Sequence, residues 1–265
     1  MPVLLNMGMA VLAEKMNDVV QGLILKQIDF KDYDVILTVL TKEYGKISFR
    51  ASGVRKMASK NAGSILPYTK AEFQFDYKED QTMFRMKTAR TKELYRHLHE
   101  DLACSYGAAV AANVADAFSL QGEDFAEKED VFDCTEKCFQ YLNEGKDTNL
   151  VLCLYLVDMM DMFGIQPEVD GCVRCGNPKV NAISAKDGGF LCRDHAKEEG
   201  IPFYTVEQLK RFRLICKAGL AHIDLVEQAG GVDNVDLRIL EEMIQTHGSM
   251  NMKSFSLYNR LFSIE

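Results

Sequence analysis

No stretch of this chain reaches the roughly eighteen uncharged apolar residues that a membrane-spanning helix needs. The most apolar run, Leu150 to Val157, is followed at once by Asp158 and Asp161. A membrane role is not expected. The first fifteen residues are apolar but carry no basic leading segment, which argues against a secretory signal. Met16 is the expected start of the folded chain, with residues 1–15 a leader or N-terminal extension. Catalytic signatures are also missing. There is no Gly-x-x-x-x-Gly-Lys-Ser/Thr loop for nucleotide phosphates, no His-Glu-x-x-His pair, no Ser-centred elbow and no convincing carboxylate pair. Internal repeats, low-complexity runs and long flexible linkers are absent too. These absences point away from an enzyme.

What is present starts with eight cysteines in 265 residues. Without an export signal they suit a reducing cytoplasm, where paired cysteines bind metal rather than form disulfides. The net charge of −8 excludes an evenly basic polyanion binder, but it hides an asymmetry. Residues 1–95 hold 15 Lys/Arg against 11 Asp/Glu, net +4, and residues 96–265 hold 16 against 28, net −12. From Lys46 to Lys70 there are six cations (Lys46, Arg50, Arg55, Lys56, Lys60, Lys70) and no Asp or Glu. Such a stretch attracts a polyanion locally even on an acidic protein.

Residues 16–92 read as a β domain. Strands are expected over 19–28, 33–41, 45–53, 68–78 and 81–91. The fourth alternates Thr69, Ala71, Phe73, Phe75 and Tyr77 against Lys70, Glu72, Gln74 and Asp76, the period of a half-buried strand. A polar, basic loop, 54–64, separates strands three and four. Five short strands with this loop suit a small closed barrel of the OB type, with other small barrels and sandwiches as alternatives. From residue 93 to 265 the pattern is helical. Leu94, Leu98 and Leu102 recur every four residues, an alanine-rich segment follows, and helices are expected over 130–142, 150–163 and 235–247. The second of these is expected to be capped by Thr148 or Asn149 and stopped by Gly164. Thr205-Val206-Glu207-Gln208 is a capping box that opens a helix ending near Gly219. The fold class is therefore α+β, multi-domain: an N-terminal barrel, then a helical domain with a metal module at about 168–200.

That module carries the most specific signal. Cys172-Val173-Arg174-Cys175 is followed, after sixteen residues, by Cys192-Arg193-Asp194-His195. Two intervening residues let both side chains of a tight turn reach one ion, and two such turns supply four ligands. Three thiolates and one imidazole suit one Zn²⁺. Four protein ligands leave no open position for water, so the expected ion is structural. The remaining cysteines read as buried hydrophobes, including Cys134 and Cys138 one helical turn apart. Met159, Met160 and Met162 read as core, and His97 and His99 as surface residues.

The sequence resembles the bacterial DNA repair protein family RecO. Three features carry the resemblance: the opening strand pair followed by Thr41-Lys42-Glu43-Tyr44-Gly45-Lys46; the stretch Ser52-Gly53-Val54-Arg55-Lys56, then Ser59-Lys60 and Leu66-Pro67-Tyr68; and the metal motif after a helix ending in Phe163-Gly164, with Lys253-Ser254 as an echo. The resemblance implies an N-terminal OB-fold, a helical region and a zinc module. It also implies binding to single- and double-stranded DNA, strand annealing, and, with RecR, loading of RecA onto DNA coated by single-strand-binding protein. Many relatives use a fourth cysteine where this chain has His195.

An OB barrel holds single strands with a positive groove and aromatic platforms. The candidates here are Arg50, Arg55, Lys56, Lys60, Arg85, Lys87 and Arg90, with Tyr68 open between base stacking and packing. Phe49 falls with Ile47 and Ala51 on the buried face and is expected in the core. Two other functions stay in view: a protein adaptor that binds no DNA, and a zinc-dependent nucleic-acid enzyme.

Overall fold

The computed structural model describes residues 17–57, 59–78, 81, 83–119, 125–248 and 258. Residues 1–15 and the Lys253-Ser254 pair lie outside them. The chain divides into two compact units, one of residues up to Leu94 with Ser119–Phe132, the other of Tyr95–Phe118 and the residues from Asp133 onward.

In the first unit, β1 (Asn17–Phe30), β2 (Asp34–Thr41), β3 (Gly45–Ala51), β4 (Lys70–Asp76) and β5 (Met83–Glu93) close into a barrel of order β1-β2-β3-β5-β4. This is the OB-like arrangement. Its neighbours are antiparallel except β3 and β5, which run parallel with Ser48, Phe49 and Arg50 opposite Met83, Phe84 and Arg85. Closure follows from alternation, because every second residue of β3 and β4 points into one core. Phe49 is fully buried there, its ring centroid 5.1 Å from Phe73 and 5.0 Å from Phe75. Gly22 sits where β1 crosses β2, and a Cβ on it would lie 2.3 Å from Val39 Cγ1.

Several strand ends differ from the sequence expectation by one or two residues, three of them for a backbone reason. β2 starts at Asp34, because residues 31–33 form a turn with Lys31 in the left-handed region at φ 56°. β3 ends at Ala51, since Gly53 (φ 69°) turns the chain and donates its N–H to Asp34 Oδ1 at 2.9 Å. β4 starts after Tyr68, whose φ of 59° breaks the extended run. In the loop between β3 and β4, Val54 and Ile65 are buried in the barrel core.

The second unit is helical: α1 (His97–Glu100), α2 (Leu102–Phe118), α3 (Phe125–Asn143, which begins in the first unit), α4 (Thr148–Met162), α5 (Arg193–Glu198), α6 (Val206–Ala218), α7 (Ile223–Gln228) and α8 (Asn234–His247), with a hairpin of β6 (Val180–Ser184) and β7 (Gly189–Cys192). The four-residue spacing of Leu94, Leu98 and Leu102 is not one helix. Asp101 takes an extended conformation between α1 and α2, and Leu102 is exposed. α4 is apolar on all sides and packs against α2, α6 and α8. Its cap is neither Thr148 nor Asn149 but Asp147, whose Oδ1 accepts from the Leu150 N–H at 2.8 Å. Met159 and Met160 are buried, whereas Met162 at the helix end is exposed. The capping box of Thr205 and Gln208 opens α6. Among the described residues no helix is long and apolar enough to cross a membrane.

Candidate metal centre and polyanion-binding face

The metal centre is built from a turn and a hairpin. The Cys172 carbonyl accepts from the Cys175 N–H at 3.2 Å and the Gly176 N–H at 2.7 Å, curling the chain round both thiols. Gly176 makes the bend at φ 71°. Val173 N–H donates to Phe190 O at 2.9 Å, tying this turn to β7. At the end of β7 stands Cys192, which precedes α5, and His195 lies in the first turn of that helix. Gly189 lets the backbones meet: a Cβ there would lie 2.3 Å from Glu168 O, the carbonyl that accepts from Phe190 N–H.

The four donor atoms converge within 4.8 Å of one another. His195 Nδ1 is 3.3 Å from Cys172 Sγ and 3.4 Å from Cys192 Sγ, and Cys175 Sγ is 3.9 Å from Cys192 Sγ. A tetrahedral Zn²⁺ with bonds of ~2.3 Å to sulfur and ~2.0 Å to nitrogen has edges of about 3.8 Å between sulfurs and about 3.5 Å between sulfur and nitrogen. The observed edges match this shape, so the residues present fit such an ion. Burial alone would raise the Cys172 thiol, but N–H groups of Cys192, Arg174 and Cys175 and the His195 ring outweigh it and bring its pKa to about 6. The Asn177 N–H lowers the Cys175 thiol, yet burial and the Cys172 and Cys192 sulfurs leave it raised overall. Outside the ligands, Arg174 bridges Asp187 (2.8 Å) and Glu199 (2.7 Å), linking the turn to the hairpin and to the end of α5.

The candidate DNA contacts do not form one surface. Arg50 and Arg85 are Cα partners across β3 and β5. Together they line a hollow of about 480 Å³ with Gln81 and Met83. Arg50 also lines a second hollow, again about 480 Å³, with Lys31, Tyr33, Ser52 and Lys56. Arg90 lies farther along β5 opposite Glu72, and Asn61, next to Lys60, accepts from the Ala89 N–H on that strand. Tyr68 is set apart: its N–H donates to Ile24 O, six residues before Phe30 on β1, or about 20 Å of strand. It is half-buried, and burial raises its hydroxyl pKa.

Three candidate cations are already neutralised by carboxylates from elsewhere in the chain. Arg50 donates to Asp34 Oδ2 at 2.7 and 3.0 Å, Arg55 pairs with Asp29 at 3.0 Å, and Lys87 pairs with Asp76. The Arg50 guanidinium and the Gly53 N–H hold the Asp34 carboxyl below its usual pKa. The stretch from Lys46 to Lys70 lacks acids in sequence but not in space. Among the described residues, Lys56, Lys60, Arg85 and Arg90 have no carboxylate at ion-pair distance. Lys31 and Tyr33, which sequence reasoning left out of the candidates, line the second hollow with Arg50 and Lys56. The signal was there: aromatic Phe30 and Tyr33 flank Lys31 in a short turn.

The family model described as recombination protein O N terminal matches residues 16–95, which include the barrel, and that described as recombination protein O C terminal matches residues 99–254, which include the metal centre. The chain belongs to the RecO family. Relatives carrying the name DNA repair protein RecO include that of Latilactobacillus sakei, 23% identical over 92% of this chain and 89% of its own length. Those of Halalkalibacterium halodurans (23%) and Bacillus pumilus (24%) each match 92% of this chain, and 95% and 94% of their own lengths. A second convergence of donor atoms, His97, Asp101 and Cys104, lies in the helical unit. There the Asp101 carboxylate accepts from the Cys104 N–H at 2.9 Å at the start of α2. A helix N-terminus disfavours a cation, and the trio reads as a cap.

Proposed function

We propose that this protein is a DNA-binding mediator of recombination in DNA repair, acting in the cytoplasm without catalysis of its own. In this reading it holds single- and double-stranded DNA, anneals complementary strands and, with RecR, helps load RecA onto single strands coated by single-strand-binding protein. Family membership supports the repair role. The observation that carries DNA binding is the meeting of Arg50 and Arg85 across β3 and β5, between hollows that also hold Lys31 and Lys56. Phosphates neutralise such a cluster and release counterions. The metal is Zn²⁺, held by Cys172, Cys175, Cys192 and His195. It fastens the turn before Asn177 to the hairpin and α5 rather than binding substrate, because four protein ligands complete its shell.

A fluorescence annealing assay with complementary oligonucleotides, with and without single-strand-binding protein, tests the reading. Annealing accelerated by the protein supports it, and rates equal to the spontaneous ones defeat it. A second reading, a protein adaptor that binds no DNA, draws on the carboxylates that neutralise Arg50, Arg55 and Lys87. A gel shift at low salt separates the two, since an adaptor leaves single-stranded DNA unshifted at micromolar protein.

A further inference from the structure

The polyanion-binding face has cations, but Tyr68, the aromatic candidate read from sequence, is elsewhere, and Phe49 is in the core as expected. Phe49 is fully buried, and Tyr68 stands about 20 Å along β1 from the turn. Non-specific single-strand sites combine a cationic groove with an aromatic face on which unpaired bases stack. The turn between β1 and β2 supplies that face. Tyr33 is 53% exposed. It lines the hollow that holds Lys31, Arg50 and Lys56, and the Lys56 ammonium lies 5.4 Å from its ring centroid. Phe30 is a poorer platform, because it is half-buried and two cations, Arg50 (5.3 Å) and Lys31 (5.5 Å), lie over its ring, against Lys56 alone, among the described residues, over that of Tyr33.

The backbone that carries the ring is held in place by its surroundings. The Tyr33 carbonyl accepts from the Arg55 N–H at 3.2 Å, and Asp34 accepts from Gly53 N–H and Arg50, so turn and basic loop are fastened together at two successive residues. We propose that Tyr33 is the base-stacking platform of this protein: an unpaired base lies on the face of its ring opposite Lys56, while Arg85 and Lys31 take the flanking phosphates. The inference rests on the DNA-binding reading above and sharpens it. Stacking requires an unpaired base, so Tyr33 serves single strands and not duplex.

The test compares full-length wild type, Tyr33→Ala and Tyr33→Phe for binding to a labelled oligothymidylate and to a duplex of equal length. Tyr33→Ala is expected to lose between about fivefold and a hundredfold in single-strand affinity. Duplex affinity should stay within about twofold, and Tyr33→Phe should match wild type. An oligonucleotide carrying 5-iodouracil should crosslink to Tyr33, read by mass spectrometry. Wild type that binds single strands while Tyr33→Ala binds them equally well, or loses duplex affinity to the same degree, overturns this inference alone. Wild type that binds neither substrate overturns the DNA-binding reading and this one with it. Because the side chain is exposed and its backbone makes the tie to Arg55, all three proteins should melt alike.

Discussion

The salt dependence of single-strand binding follows from a count of cations. Of those around the two hollows, Lys31, Lys56 and Arg85 have no carboxylate at ion-pair distance among the described residues, whereas Arg50 is held by Asp34. If each of the three takes one phosphate, log Kobs should fall with log[salt] at a slope of about −2, from −0.7 per contact. Raising salt from about 50 to about 200 mM should then weaken binding roughly twentyfold. The Asp34→Asn variant refines the test. The amide oxygen still accepts from Gly53 N–H, but the charge that neutralises Arg50 is gone, and a fourth cation becomes available. The slope should steepen to about −3 and affinity at low salt should rise, while Arg85→Ala should flatten it to about −1.4. Fluorescence anisotropy with an oligothymidylate across a salt series reads all three. A wild-type slope of −5 or steeper would mean that Arg55, Lys87, Arg90 or the helical unit also grips phosphate. A slope unchanged by Asp34→Asn would mean that Arg50 takes no additional phosphate once its charge is freed.

Purified protein should hold about one zinc per chain, and Cys172→Ser should lose it and melt earlier, as read by metal analysis and calorimetry. At free zinc a thousandfold above its dissociation constant the ion contributes about 4 kcal/mol, so a variant with full zinc and unchanged melting refutes the ligand assignment. Phe49→Ala removes a ring packed on Phe73 and Phe75 and should cost about 3–5 kcal/mol in chemical denaturation. Asp158 tests pH linkage. Burial raises its pKa in the fold above the ordinary 3.8, although the Leu220 N–H bond at 2.9 Å opposes the rise. The folded state therefore binds its proton more tightly than the unfolded one, and stability falls as pH rises from about 3.8 through the folded value. Asp158→Asn keeps an acceptor for Leu220 and should melt later than wild type at pH 7, with the difference gone near pH 3. A variant that melts earlier at pH 7 would show that the charge is needed.

The features legible in the sequence are those that depend on near neighbours. The alternation of β4, the capping box at Thr205 and the spacing of Cys172 and Cys175 all fix geometry within a few residues. The misreadings arose where a distant or backbone feature decides. Leu94, Leu98 and Leu102 keep helical spacing, but Asp101 is spent on capping the next helix. The basic stretch looked unopposed because its carboxylates, Asp29 and Asp34, lie on strands that precede it, and a one-dimensional charge count cannot show such pairing. Tyr33 was read as the first residue of a strand, where one side faces the core. Its place in a turn, set by the left-handed Lys31, is what exposes it.

The parallel pairing of β3 with β5 joins residues more than thirty positions apart, and it is this seam that puts Arg50 beside Arg85. A chain still emerging during synthesis, with β5 not yet made, has no such seam and offers only scattered cations, several of them already matched by aspartates. The hollow that Arg50 shares with Arg85 is thus complete only once the last barrel strand has docked.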